Sequence, residues 1–232
     1  MAGKLVSANA ENLSALVIAQ LKRRGVPFFI GGVIAIMDMS TGQMSYGSPE
    51  MDLALTAYMD IAHYYEIPTW GTAGCTDSKI VDEQAAIEAT LSCLFSSLSG
   101  TNLVHDVGYM ESGKTGSLEM IVMVDEILGY IKRIKKGIKV NEETLAVDVI
   151  HEVGPGGNFL THPHTLAHFR EETWNPSLVD RQVYDKWADS GCKRMIDRIR
   201  EKVQKILETH VPEPLPEEAE KKIEQIMARC RY

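Results

Sequence analysis

The sequence predicts an α/β protein, and three observations carry that prediction. Short apolar runs, polar Gly/Ser/Thr/Asp loops and helical patterns alternate three times between residues 27 and 136. The units recur at a spacing of roughly 35–40 residues, which suits parallel strands joined by helical crossovers. The runs at residues 27–37, 67–70 and 102–104 carry little charge, as strands covered on both faces do.

Taken in order, residues 9–24 place Leu13, Leu16, Val17 and Leu21 near helical spacing and close on Lys22-Arg23-Arg24-Gly25, a helix end. Residues 27–37 read as one buried strand despite Gly31-Gly32, followed by a polar loop over 38–47. Ser48-Pro49-Glu50 supplies an N-cap, a first-turn proline and a first-turn acid for a helix to about Tyr65. The second unit is a strand over 67–70, a loop over 71–79 and a helix over 81–98 that Gly100 closes. The third is a strand over 102–104, a loop over 105–116 and a helix over 117–136. Lys132, Arg133, Lys135 and Lys136 suit the negative end of that helix's dipole.

Beyond Gly137 the alternation stops. A helix is expected over 142–152, a loop at Gly154-Pro155-Gly156-Gly157, a long helix over 182–210, a stiff Pro-rich linker over 211–216 and a final helix over 217–231. The chain divides into residues 1–137 (a half-barrel of strand-loop-helix units), 138–210 (the last barrel portion, with a His/Gly-rich loop and a long helix) and 211–232 (linker and C-terminal helix). A complete (β/α)8 barrel needs eight strands and about 250 residues. Only three strands are clear, with room for a fourth near Phe159. The expected architecture is therefore a partial (β/α)8 TIM barrel, its C-terminal half, with extra C-terminal helices. A doubly wound sheet is the alternative, but no GxGxxG or GxxxxGK[ST] loop supports it.

Composition narrows the function classes. The 232 residues are 44% hydrophobic and 24% charged, an ordinary globular balance. A formal net charge of −8 disfavours nucleic acid and anionic membrane as partners and suits a cationic substrate. Cys75, Cys93, Cys192 and Cys230 show no CxxC spacing, so reduced thiols in a cytoplasmic protein are expected, with no metal site. No apolar run reaches the roughly 20 residues of a membrane span, and residues 1–12 lack a signal peptide's apolar region.

The chemistry is expected in the outgoing loops of the parallel strands. His105, Asp106, Tyr109 and Glu111 follow the third strand and suit a pocket floor for a polar or cationic ligand; a turn-capping network is the plain alternative. Asp77 and Ser78 lie in the second loop as ligand contacts or helix caps, and Trp70 offers an aromatic face to a cation or a core ring. His162, His164 and His168 include an i,i+4 pair of the kind zinc sites use. There is no HExxH, however, and Pro163 interrupts the start, so a pocket wall or loop anchor is preferred. Met37, Met39, Met44 and Met51 are gap-filling packing residues. Cys75 has no base near it in sequence.

Six stretches then carry a resemblance: Ala-Asn-Ala-Glu-Asn-Leu at 8–13, Ile-Met-Asp-Met-Ser-Thr-Gly at 36–42, Gly-Thr-Ala-Gly-Cys-Thr-Asp-Ser-Lys at 71–79, Asp-Glu-Gln-Ala-Ala at 82–86, His-Asp-Val-Gly-Tyr-Met-Glu-Ser-Gly at 105–113 and His-Glu-Val-Gly-Pro-Gly-Gly-Asn-Phe-Leu at 151–160. Together they resemble the trimethylamine methyltransferase family over essentially the whole chain. The resemblance implies a TIM barrel that moves a methyl group from a methylated amine or betaine to the corrinoid (cobalamin) cobalt of a separate partner protein. It also implies that this chain matches only the C-terminal half of a family member, so an oligomer or pairing with a missing N-terminal half is expected. The chain holds only standard residues and looks more like the non-pyrrolysine, glycine betaine-type members. On this reading His105, Asp106 and Glu111 are the catalytic set. Tyr109, Trp70, Asp77, Ser78, His162 and His164 contact the substrate. Two other readings stand beside it: a catalytically incomplete half-barrel acting as a subunit, and a metal-dependent TIM-barrel hydrolase using the histidine cluster.

Overall fold

A computed structural model describes residues 1–230. The elements in chain order are α1 (Ala2–Lys22), β1 (Ile30–Gly31), β2 (Ile36–Asp38), β3 (Gln43–Ser45), α2 (Pro49–Tyr64), β4 (Thr69–Thr72), α3 (Glu83–Leu98), β5 (Leu103–His105), β6 (Tyr109–Met110), β7 (Thr115–Gly116), α4 (Leu118–Lys136), α5 (Glu142–Leu145), α6 (Val147–Val153), α7 (Pro163–Glu172), α8 (Tyr184–Asp189), α9 (Met195–Thr209) and α10 (Glu217–Arg229).

The organising element is a parallel sheet of order β1-β4-β5. Ile30 pairs with Thr69 and Gly31 with Trp70, while Trp70, Gly71 and Thr72 pair with Leu103, Val104 and His105. Gly31 is required there, because a Cβ would lie 2.0 Å from the Trp70 carbonyl oxygen. Asn102 clasps the incoming ends of β4 and β5, accepting from the Thr69 backbone N–H at 2.9 Å and hydroxyl at 3.1 Å.

The crossover helices follow their caps. Ser48, Asp82 and Ser117 each accept a backbone N–H in the first turn of α2, α3 and α4. Their buried faces form two apolar clusters. Tyr58, Met51, Met59 and Ile30 centre one, under α2. Met120, Val124, Ala85 and Ala89 centre the other, between α3 and α4, with Ile199 of α9 closing it. Glu126 on α4 is buried yet fully engaged: it accepts the backbone N–H groups of Ser177, Leu178 and Val179 and the Ser177 hydroxyl at 2.6 Å. One carboxylate thus fastens the helical C-terminal segment to the α/β part.

Several expectations need correction. The run over 27–37 is not one strand: Gly32, at φ +145°, turns the chain out of the sheet after Gly31, and residues 36–38 join a hairpin instead. The loops over 38–47 and 105–116 each fold into a small antiparallel pair, β2–β3 and β6–β7. No strand forms near Phe159 among the described residues; its carbonyl accepts from His162 and Thr165 in the turn before α7. The helix over 142–152 breaks at Ala146 (φ +50°), and the one over 182–210 breaks at Gly191 and Cys192, both at positive φ. The end of the helix expected over 217–231 lies partly outside the described residues. Among the described residues no helix is long and apolar enough to cross a membrane.

Candidate active site at the carboxyl ends of the parallel strands

The outgoing loops of β4 and β5 extend the sheet's pairing upward. Ala73 N–H donates to the His105 carbonyl at 3.2 Å, Gly108 N–H to Gly74 at 3.0 Å, Thr76 N–H to Tyr109 at 3.0 Å and Glu111 N–H to Ser78 at 3.1 Å. Glu88 of α3 braces this platform, accepting the Asp77 N–H at 2.8 Å and the Thr76 hydroxyl at 2.5 Å. In the β5 loop, Asp106, Glu111 and Ser112 all adopt positive φ (+72°, +51° and +54°). Such backbone is costly for non-glycine residues and concentrates at functional sites.

His105 sits at the tip of β5, half-exposed. Its Nδ1 lies 2.5 Å from the Asp106 carboxylate, whose side chain is 8% exposed. The imidazole packs over Trp70 on the neighbouring strand, ring centroids 4.6 Å apart, and its Nε2 faces the Thr72 hydroxyl at 3.5 Å. The second Asp106 oxygen accepts a short hydrogen bond from the Tyr46 hydroxyl. Tyr46, buried just after β3, was not singled out from the sequence, because its partner lies 60 positions away. An aromatic hydroxyl between the hairpin and the cap of α2 is the only signal the sequence holds for it.

Asp77 is a hub on the same rim. It accepts from the Ser45 hydroxyl (2.7 Å), the backbone N–H groups of Tyr46 (2.8 Å) and Gly47 (3.1 Å), and the Ser112 hydroxyl (2.8 Å). Burial alone would raise its pKa, but these donors outweigh it and hold the carboxyl below its ordinary range. His105 and Asp77 therefore face the same end of the sheet, joined through Tyr46. Asp77 and Glu111 also line a polar cleft of about 470 Å³ with Asp38, Gln43, Lys79 and Lys114. His105 and Trp70 do not line that cleft.

Of the remaining candidates, Ser78 and Tyr109 lie in the same outgoing loops, and the histidines fall elsewhere. Ser78 is buried and its hydroxyl is occupied within the loop, donating to Asp82 at 2.9 Å and to the Ile80 carbonyl at 2.8 Å. Tyr109 is 45% exposed on β6. His162 caps α7, accepting the His164 N–H at 3.1 Å, and lies 3.7 Å from Glu152. His164 stacks on His168 at 4.3 Å and meets the Glu143 carbonyl at 2.8 Å, while His168 pairs with the Glu143 carboxylate at 3.2 Å. These contacts tie α7 to α5 and α6 rather than to the sheet rim. No group of three or more His, Cys, Asp or Glu side chains is placed to hold a metal ion among the described residues. The Cys75 thiol is buried, and burial pushes its pKa up, with the Asp106 charge adding to the shift.

Fold and rim together describe a mixed α/β protein whose small parallel sheet carries, at the carboxyl ends of its strands, the His105–Asp106–Tyr46 array over Trp70 and a separate polar cleft lined by Asp77 and Glu111. A family model described as Trimethylamine methyltransferase (MTTB) matches residues 1–231. A trimethylamine methyltransferase MttB of Desulfitobacterium hafniense (strain DSM 10664 / DCB-2) is 41% identical over 94% of this chain and 44% of its own length. A glycine betaine methyltransferase of D. hafniense (strain Y51) is 36% identical over 99% of the chain and 48% of its own. A trimethylamine methyltransferase MttB of Methanosarcina barkeri (strain Fusaro / DSM 804) is also 36% identical, over 99% and 46%. The chain belongs to the trimethylamine methyltransferase family, and it spans about half the length of the curated relatives it matches.

Proposed function

We propose that this chain forms the substrate-holding sector of a (β/α)8 methyltransferase that removes a methyl group from a quaternary or tertiary amine and passes it to a corrinoid protein. Family membership supports the reaction class. The observation that carries the assignment to this rim is the His105–Asp106–Tyr46 array beside Trp70 at the outgoing end of the sheet. The barrel reading is supported by three parallel strands in sequential order, each followed by a loop region and a helix, with β1 and β5 left as open edges. Residues 1–137 then supply the barrel sector, while 138–210, expected as its last portion, add helices and no further strand among the described residues.

The physical requirements match the residues. A quaternary ammonium, or a tertiary amine that binds already protonated, carries the positive charge that lets a neutral amine depart, so its C–N electron pair goes to nitrogen with no further proton needed. A corrinoid on a partner protein, when docked at this rim, would supply the electron pair that accepts the methyl group. The protein's task is orientation and charge placement. Trp70 offers a ring face and Asp106 negative potential to the cation, while His105 orients a substrate carboxylate where one exists. Glu111 and Asp77 keep the neighbouring cleft acidic. The residues present suit an acceptor carried on another protein, because His105 stays half-exposed at the strand tip over Trp70. Tyr109, Ser78, His162 and His164 are not needed for this mechanism.

One observation favours a second reading, an incomplete half-barrel serving as a subunit: Phe29, Val33, Leu103 and Val104, at or beside the open strands, are 40–57% exposed. The testing experiment is a methyl-transfer assay with cob(I)alamin across trimethylamine, glycine betaine, proline betaine and carnitine. It is run with the chain alone and with a polypeptide supplying the other half of a family-length enzyme. Transfer that requires both polypeptides supports the proposal. No transfer with any amine in the completed assembly leaves the subunit reading.

A further inference from the structure

We propose that Tyr46 is a positioning residue that fixes the tautomer and orientation of the His105 imidazole through Asp106. The array's geometry stands by itself; its link to substrate rests on the proposed function. Asp106 is held at φ +72° with its side chain 8% exposed, so its carboxylate cannot turn to solvent for replacement partners. One oxygen meets His105 Nδ1 at 2.5 Å and the other accepts from the Tyr46 hydroxyl. An acidic acceptor at Nδ1 keeps the proton on that nitrogen and leaves Nε2 with its lone pair, beside Thr72 and above Trp70. The tautomer therefore depends on the carboxylate keeping this rotation, and the Tyr46 hydroxyl sets the rotation.

Tyr46 is itself pinned at both backbone ends. Its N–H donates to Asp77 at 2.8 Å, and its carbonyl accepts from the Cys75 thiol at 3.9 Å. Burial, and then the neighbouring Asp106 carboxylate, raise the phenol pKa, so the hydroxyl stays a donor across the neutral range. The placement of the β2–β3 hairpin, set by Asp77, is thus passed through one phenol to the imidazole. A void or a shift under the hairpin becomes a change at His105 without any direct contact between them.

The test is nitrogen-15 NMR of histidine-labelled protein at about pH 9, above the ordinary imidazole range. In the wild type, His105 is expected as the Nδ1–H tautomer with a downfield, exchange-protected Nδ1 proton. Tyr46→Phe should lose that protected proton and move His105 toward a tautomer mixture, with the other histidine signals unchanged. Asp106→Asn should abolish the signature entirely, and Thr72→Val should keep it. An unchanged His105 signature in Tyr46→Phe overturns the proposal. So does a wild-type His105 carrying its proton on Nε2, a readout that needs no variant to fold. Because methyl transfer is not measured, failure of the proposed function would leave this result standing.

Discussion

Asp77, Glu126 and Asp52 show how environment decides what a carboxylate does. Asp77 and Glu126 each collect several donors, and although burial opposes their charge, both pKa values end below the ordinary range. In such a case the unfolded chain takes up the proton first as pH falls. Their stabilisation is therefore present above the ordinary values of 3.8 and 4.5 and is lost below them. Glu126→Gln leaves three backbone donors facing a weaker acceptor, and equilibrium urea unfolding at pH 7 should show a loss of about 2–3 kcal/mol. Asp52 behaves oppositely. It is buried on α2 with no side-chain hydrogen bond among the described residues, and desolvation, then the Glu88 charge, push its pKa up to about 7. The folded state then holds the proton more tightly, so this group's contribution falls as pH rises from about 4 to 7. Asp52→Asn should match the wild type near pH 4 and exceed it by about 1–3 kcal/mol at pH 8. An equal gain at both pH values would show that the charge is not the cause. Trp70, His105, Asp106 and Asp77 were legible in the sequence as residues of strand ends and outgoing loops, but the link between them was not. Tyr46 joins Asp77 and Asp106 across chain separations of 31 and 60 positions, which no local pattern records.

Among the elements, helices with strong punctuation were read closely. Ser48-Pro49 opens α2, and Ser117 with the basic last turn bounds α4, because capping groups act within a few residues. The strands were harder. The second and third runs gave strands of the right length, displaced by two residues and one residue, whereas the first run overstated its strand, because Gly32 diverted half of it into a hairpin. The β2–β3 hairpin carries a local turn signal, with Asp38 accepting from Ser40 and Gly42 at φ +69°, but Asp77 and Ser112 hold it in place by contacts distant in sequence. The shortness of β1 makes it vulnerable. Gly31→Ala would drive a methyl group into the Trp70 carbonyl and indole. It should cost about 2–3 kcal/mol and speed amide exchange in β1 and β4. Exchange unchanged from the wild type would mean that the β1–β4 pairing tolerates the methyl group.

At the scale of the whole molecule, the parallel sheet is the least complete part. Its outer strands β1 and β5 have one partner each, whereas parallel sheets are normally covered on both faces and shielded at their edges. Apolar residues of α1 face outward as well, with Val17, Ile18 and Leu21 57–82% exposed. Together with a chain about half the length of its curated relatives, this predicts that the isolated chain self-associates at micromolar concentration. Size-exclusion chromatography with light scattering should show species larger than 25.8 kDa that resolve when the complementary half is supplied. A stable, well-behaved monomer would contradict this. The central claim is that the rim at the carboxyl ends of β4 and β5 orients a methylated amine for transfer. Its most direct test is the single-turnover rate of methyl transfer to cob(I)alamin in the completed assembly, compared between wild type and His105→Ala. The account predicts a loss of about 100-fold at saturating amine, and an unchanged rate would contradict it.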